Sequence, residues 1–235
     1  MHKKVVHLSR LSHTGKIYLF LLVPAIIVSL TFEPPVFFKI LKPLIIPLLI
    51  IEVYQKSRSS IVNLSLFRWL YAALILSWLG DAFLMFEARD SSFFILGLSS
   101  FLMAHIGYMI SIIITSEVTI SKSIKSSRSL YLVFIVAYAM LFLSILYPGL
   151  GEMQFPVFIY AFVIMAMVAM SVLRSATGSL VVLAGAVLFV LSDSTLAYAK
   201  FINTFPGSRE LTMLTYMLAQ FLLVQGLLST TTIKA

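Results

Sequence analysis

Three observations predict an all-α, polytopic membrane fold with eight transmembrane helices. Hydrophobic residues make up 60% of the 235 and charged residues only 11%, where a soluble domain is about half apolar and a quarter charged. Mean hydropathy is +1.04. Apolar runs recur at the spacing a bilayer dictates, about 20 residues to cross the hydrocarbon core and a few more to turn. That spacing divides the 235 residues into roughly eight units and leaves no room for a separate soluble domain. Residues 1–235 therefore read as a single integral membrane domain.

The first run, 17–32, follows a basic N-terminus, MHKKVVHLSRLSHTGK. It lacks a small-x-small cleavage site and leads straight into further spans, so it reads as a first helix and not as a signal peptide. Pro34-Pro35 separates it from the second run, 36–54. The third and fourth runs are 66–86 and 93–115. A polar, Ser-rich, basic loop, SEVTISKSIKSSRS, then divides the chain into two groups of four. The fifth run, 128–147, is separated from the sixth, 155–172, by Pro148-Gly149. The seventh and eighth are 179–199 and 211–230.

Orientation follows from lysine and arginine. With the N-terminus inside, twelve of the 17 fall on the inner side and five (Lys39, Lys42, Arg89, Lys200 and Arg209) on the outer. The reading is N-in and C-in. The net charge of +8 belongs to loops, where cations orient spans and meet anionic headgroups. No basic face with interleaved aromatics exists, which excludes nucleic acid as a partner. The absence of cysteine excludes disulfides, thiolate metal sites and cysteine nucleophiles.

Ionisable groups at membrane depth are costly, by at least about 2.5–3.5 kcal/mol each. Three acids fall well within spans: Glu52, Asp81 and Asp193. Glu52 lies near an inner span end and can snorkel. Asp81, Asp193, Lys42 and Tyr216 each lie five or six residues from the outer end of their spans, roughly 7–9 Å below the surface. His105 sits nearer the midplane. His105 and Tyr108 share a helix face, as do Tyr216 and Gln220, and Asp193 and Lys200. Blander roles are available for each: ion pairing of the aspartates with Lys42 or Lys200, an interhelical hydrogen bond for His105, interfacial packing for Tyr108 and Tyr216, snorkelling for Lys200. Gly97, Gly185 and Ala186 read as small residues that admit close helix packing.

An internal duplication is also legible. LSWLGDAFLMF (76–86) aligns with LFVLSDSTLAY (188–198), which sets Asp81 on Asp193 at an offset of 112. His105 and Tyr108 lie 24 and 27 residues after Asp81; Tyr216 and Gln220 lie 23 and 27 after Asp193. Four spans per half give both halves one orientation, a 4+4 parallel repeat about an axis along the membrane normal. The two aspartates then face each other across that axis.

At these residues the chain resembles the YhhN-like family, which includes the lysoplasmalogenases. The matching stretches are LKPLIIPLLI (41–50), LSWLGDAFLMF (76–86), LGLSSFLMAHIGYMI (96–110), GAVLFVLSDSTLAYAKF (185–201) and YMLAQFLLVQG (216–226). The resemblance implies eight helices and hydrolysis of the vinyl ether bond of lysoplasmalogen to a fatty aldehyde and glycerophosphoethanolamine or glycerophosphocholine. It implies polar core positions at Lys42, Asp81, His105, Tyr108, Asp193, Lys200, Tyr216 and Gln220.

A vinyl ether is stable to base and labile to acid. Protonation of its β-carbon gives an oxocarbenium ion, water adds, and the hemiacetal collapses. As in glycoside hydrolysis, one carboxylic acid donates a proton and a second carboxylate stabilises the cation or activates water. Asp81 and Asp193 are the candidate catalytic pair, with Lys42, His105, Tyr108, Lys200, Tyr216 and Gln220 binding or positioning the substrate. Lys200 beside Asp193 inclines the carboxylate role to Asp193 and the proton-donor role to Asp81. No cofactor is required, and one intramembrane histidine without an i, i+4 partner is not a metal site. The partners expected are a lysophospholipid and the bilayer, with no obligate protein. The location expected is the bacterial cytoplasmic membrane. A second function, proton-coupled transport or lipid binding by the same aspartates, would fit parallel repeats with intramembrane acids.

Overall fold

The computed structural model describes residues 14–18, 36–59, 64–116 and 128–231; at 36–42, 59 and 128–129 the backbone alone is described. All regular structure among the described residues is helical: α1 (Val36–Ser59), α2 (Leu64–Met85), α3 (Ser92–Ile114), α4 (Arg128–Leu150), a 3-10 turn (Gly151–Met153), α5 (Gln154–Leu173), α6 (Ser179–Phe201) and α7 (Ser208–Leu228). These coincide with the second to eighth apolar runs to within a few residues. The first run, 17–32, lies outside the described residues except for Ile17 and Tyr18, which end a helical turn. The basic N-terminus and most of the Ser-rich loop also lie outside them.

Among the described residues, five helical segments are long and apolar enough to cross a membrane: 64–85, 92–114, 130–173, 179–201 and 208–228. The chain is an integral membrane protein. A straight 44-residue helix over 130–173 would run about 66 Å, twice the hydrocarbon thickness. It does not stay straight. Gly151 takes a φ of +51°, a conformation open to glycine at little cost, and α5 packs back against α4. Large apolar side chains point outward along both helices, with Phe155 and Phe162 each 74% exposed. Such faces suit lipid and would be a liability in water.

Two details differ from expectation. Pro148-Gly149 does not separate α4 from α5; both residues belong to α4, and the reversal comes at Gly151. A Cβ on Gly149 would lie 2.0 Å from the Phe201 carbonyl oxygen, so this glycine admits the end of α6. Glu52, expected to reach the interface, is only 4% exposed.

Helix α1 runs unbroken through Pro43 and Pro47. Pro47 has no N–H to give the carbonyl four residues back, which is that of Pro43. The indole N–H of Trp78 on α2 donates to that oxygen at 2.8 Å. Elsewhere small residues bring backbones together. A Cβ on Gly185 of α6 would lie 2.8 Å from Leu223 N on α7, and one on Gly107 of α3 would lie 3.3 Å from Ala73 N on α2. Where α5 meets the turn into α6, the Arg174 guanidinium is buried and donates to Thr177 O at 2.9 Å and Ser179 Oγ at 3.1 Å. Burial pulls it down to about 10, so it stays charged at neutral pH.

Candidate active site

The polar residues of α2, α3, α5, α6 and α7 meet in three groups. Asp193 of α6 is at the centre of the first. Tyr160 of α5 donates its hydroxyl to Asp193 Oδ2 at 2.5 Å. His105 Nε2 of α3 lies 2.8 Å from the Tyr160 hydroxyl and 3.2 Å from the same carboxylate oxygen. The one hydroxyl proton of Tyr160 is committed to Asp193, so the network assigns a proton to Nε2. The other ring nitrogen, Nδ1, is buried without a partner, as suits a bare lone pair better than an N–H. The carboxylate then accepts from two donors.

Asp81 of α2 forms the second group. Tyr216 of α7 donates to its Oδ2 at 2.8 Å, and both residues are buried. One turn further along the same helices lies the third group. Tyr108 of α3 donates to Gln220 Oε1 of α7, with Ser77 beside them on α2, one turn from Asp81. The Gln220 amide nitrogen is buried without a hydrogen-bond partner.

The Phe189 ring of α6 touches all three groups. Its centroid is 4.6 Å from that of His105, 5.5 Å from Tyr216 and 6.4 Å from Tyr108. It thus packs against a hydrogen-bond partner of each carboxylate, His105 for Asp193 and Tyr216 for Asp81.

A cavity of about 70 Å³ opens between α3, α4, α5 and α6. Its walls are Leu, Phe, Val, Ile, Met and Ala, with Asp193, Tyr160 and Ser194 the polar exceptions. Asp193 is 18% exposed, and Asp81, at 3%, is not among the lining residues. Phe101 and Leu84 line the cavity on the side of α2 and α3. The Phe101 ring lies edge-on to Tyr216 at 5.8 Å and sits directly on Gly80, where a Cβ would come within 2.7 Å of it.

Of the eight positions singled out in the sequence, six therefore meet as pairs: Asp193 with His105, Asp81 with Tyr216, Tyr108 with Gln220. Lys200 does not join them. Its ammonium forms an ion pair with Glu87, in the turn after α2. Lys42 is carried on α1, and its side chain lies outside the described residues. Tyr160 is the residue that sequence reasoning missed. It lies five residues after the start of its apolar run, as Tyr216 does in the last run, so the depth argument that selected Tyr216 applies to it equally. Among the described residues, no three histidine, aspartate or glutamate side chains gather as a metal site.

A model described as the YhhN family matches residues 37–227. The lysoplasmalogenase TMEM86A of Bos taurus is 31% identical over 165 residues, 66% of this chain and 62% of that protein. Its Homo sapiens counterpart is 32% identical over 164 residues, 65% of this chain and 62% of the relative. The match thus spans less than two thirds of the length of these relatives. No solved structure matches.

Proposed function

Because the chain belongs to the YhhN family, we propose that it is a lysoplasmalogenase-like ether hydrolase of the membrane, cleaving the vinyl ether of alkenyl-glycerophosphoethanolamine or -choline. The observation that carries the reading is Asp193, a carboxylate held by two donors in the wall of a largely apolar cavity. An alkenyl lipid matches both features, with an apolar tail for the walls and an acid-labile bond at the carboxylate.

In this reading Asp81 supplies the proton that the β-carbon takes up, and the C=C electron pair forms the new C–H bond. The cation left on the α-carbon and ether oxygen is stabilised by the Asp193 carboxylate. Water adds to that carbon and passes a proton to Asp193. The hemiacetal then collapses: its hydroxyl proton passes to the Asp81 carboxylate, the C–O bond breaks toward the glycerol oxygen, which takes the proton held by Asp193, and a fatty aldehyde and glycerophospho-headgroup leave with both aspartates restored. Tyr160 and His105 orient Asp193; Tyr216 orients Asp81. For Asp81 to meet the double bond, Phe101 must turn aside from Gly80. The test is aldehyde release from a synthetic alkenyl lysophospholipid by purified protein in detergent, with an acyl-ester lysolipid as the comparison.

We further propose eight spans in one domain, N-in and C-in, as a 4+4 parallel repeat. Several pairings support the repeat. Residues 112 apart are equivalent under the offset of Asp81 to Asp193, and Tyr108 bonds Gln220, 112 residues on, as residues on a pseudo-twofold axis would. The Gly107 and Ala73 approach between α3 and α2 recurs 112 residues later as Ala219 and Gly185 between α7 and α6. Helical spans that satisfy their own backbone also fit a bacterial cytoplasmic membrane, since outer-membrane proteins are built as barrels.

A further inference from the structure

At one end of the cavity, the ring of Phe94 (α3) lies edge-on to that of Phe201 (α6), 5.7 Å between centroids, and both line the cavity wall. The Lys200 ammonium stands 4.8 Å over the Phe94 ring. It is paired with the Glu87 carboxylate, and the two side chains remain 39% and 27% exposed. A cation and an anion thus sit side by side on the aromatic rim of an apolar slot.

From this juxtaposition we propose that Glu87 and Lys200 form a clamp for a zwitterionic phosphodiester headgroup, the ammonium of Lys200 taking the phosphate and the carboxylate of Glu87 taking the cationic amine. The inference deepens the hydrolase reading and rests on it for the identity of the bond below.

Spacing and charge both carry it. Lys200 is seven residues beyond Asp193 on α6, two turns, or about 10.5 Å along the axis on one face. In a lysophospholipid, five bonds separate the sn-1 ether oxygen from phosphorus, about 6 Å when extended. Adding about 3 Å of contact distance at each end spans the interval from Lys200 to Asp193. A headgroup on the clamp therefore sets the vinyl ether at the carboxylate and leaves the chain in the slot. Part-exposed ion pairs contribute only about 0–1 kcal/mol, so this one can open at small cost. A zwitterion replaces each lost contact with an equivalent one. An anionic headgroup satisfies Lys200 and leaves Glu87 facing a phosphate of like charge.

The experiment uses the full-length protein in detergent and saturated alkyl-ether lysolipids, which cannot be hydrolysed, with phosphocholine or phosphoglycerol headgroups on the same chain. Binding should favour phosphocholine by about five- to tenfold in the wild type. Glu87→Gln should bring the two within about twofold, and Glu87→Lys should reverse the preference. Lys200→Gln should weaken both. Asp193→Asn should leave the preference intact. Aldehyde release from the alkenyl phosphocholine lipid is followed in parallel. An unchanged preference in Glu87→Gln, or no preference in the wild type, overturns the clamp even if aldehyde is released. A preference that follows Glu87 without aldehyde release supports the clamp and counts against the hydrolase reading alone.

Discussion

The two aspartates, aligned by sequence at an offset of 112 residues, occupy different surroundings. Asp193 lines a cavity, is 18% exposed, and is held by a tyrosine and a histidine on one oxygen. Asp81 is 3% exposed, takes a tyrosine hydroxyl, and does not line the cavity. Residues that align in sequence can thus be packed quite differently, and it is the packing around each that decides how readily it meets a ligand. Phe189 packs against the histidine of one group and the tyrosine of the other. In the proposed mechanism the two carboxyl groups take different roles, and different surroundings are how one fold assigns them.

The largest expected effect distinguishes the two sides directly. Asp193→Asn should lower the rate of aldehyde release by about 10²–10⁴-fold while leaving the binding of an alkyl-ether analogue within about twofold. Asp81→Asn should also fall in that range, toward its lower end, because an amide cannot donate a strong acid's proton. The hydroxyl deletions come next. Tyr160→Phe removes a hydrogen bond to a carboxylate in the cavity wall, worth about 1.5–3 kcal/mol, and should cost roughly 10–100-fold in kcat. Tyr216→Phe should act on the Asp81 side alone, so the Tyr216 and Asp81 variants combined should lose little more than Asp81→Asn. Additive losses would place Tyr216 elsewhere in the mechanism.

Gly80→Ala tests the wall between the two sides. The new methyl would meet the Phe101 ring at 2.7 Å and push it toward the cavity, raising KM by roughly tenfold. Phe101→Leu in the same chain should restore it. Tyr108→Phe should cost less in rate than in stability. It strands the buried Gln220 amide, a loss of about 1–3 kcal/mol, read by thermal melting.

The smallest effect lies outside both groups. Ser92 N–H donates to Asp90 at 2.8 Å at the start of α3, which holds the Asp90 carboxyl below its ordinary value of 3.8. A carboxyl lowered on folding stabilises the folded state above about pH 4 and ceases to do so as pH falls through its folded value. Asp90→Ala should flatten that part of the melting curve against pH and leave hydrolysis unchanged.

Much of this was legible in residues alone. Run length placed seven helices within a few residues, because a bilayer imposes a length that no propensity can override. The cost of burying charge drew attention to Asp81 and Asp193. Depth along a helix did not tell which way a side chain faces, so partners were harder to foresee. Lys200 pairs with Glu87 and not with Asp193 because its long stem reaches the turn after α2. Tyr160 went unmarked because tyrosine is common near membrane interfaces; only its proximity to Asp193 across α5 and α6 marks it. Pro148-Gly149 carries a strong turn signal, yet Gly149 is needed for the contact with Phe201.

The most direct test of the account is aldehyde release from an alkenyl lysophospholipid by purified wild type, Asp81→Asn and Asp193→Asn, each checked for intact folding by thermal melting. Release by the wild type should be insensitive to chelators, and both variants should lose at least about 10²-fold in rate, the greater loss in Asp193→Asn. Release at the wild-type rate by both asparagine variants would contradict it, and would turn attention to proton-coupled transport by the same helices.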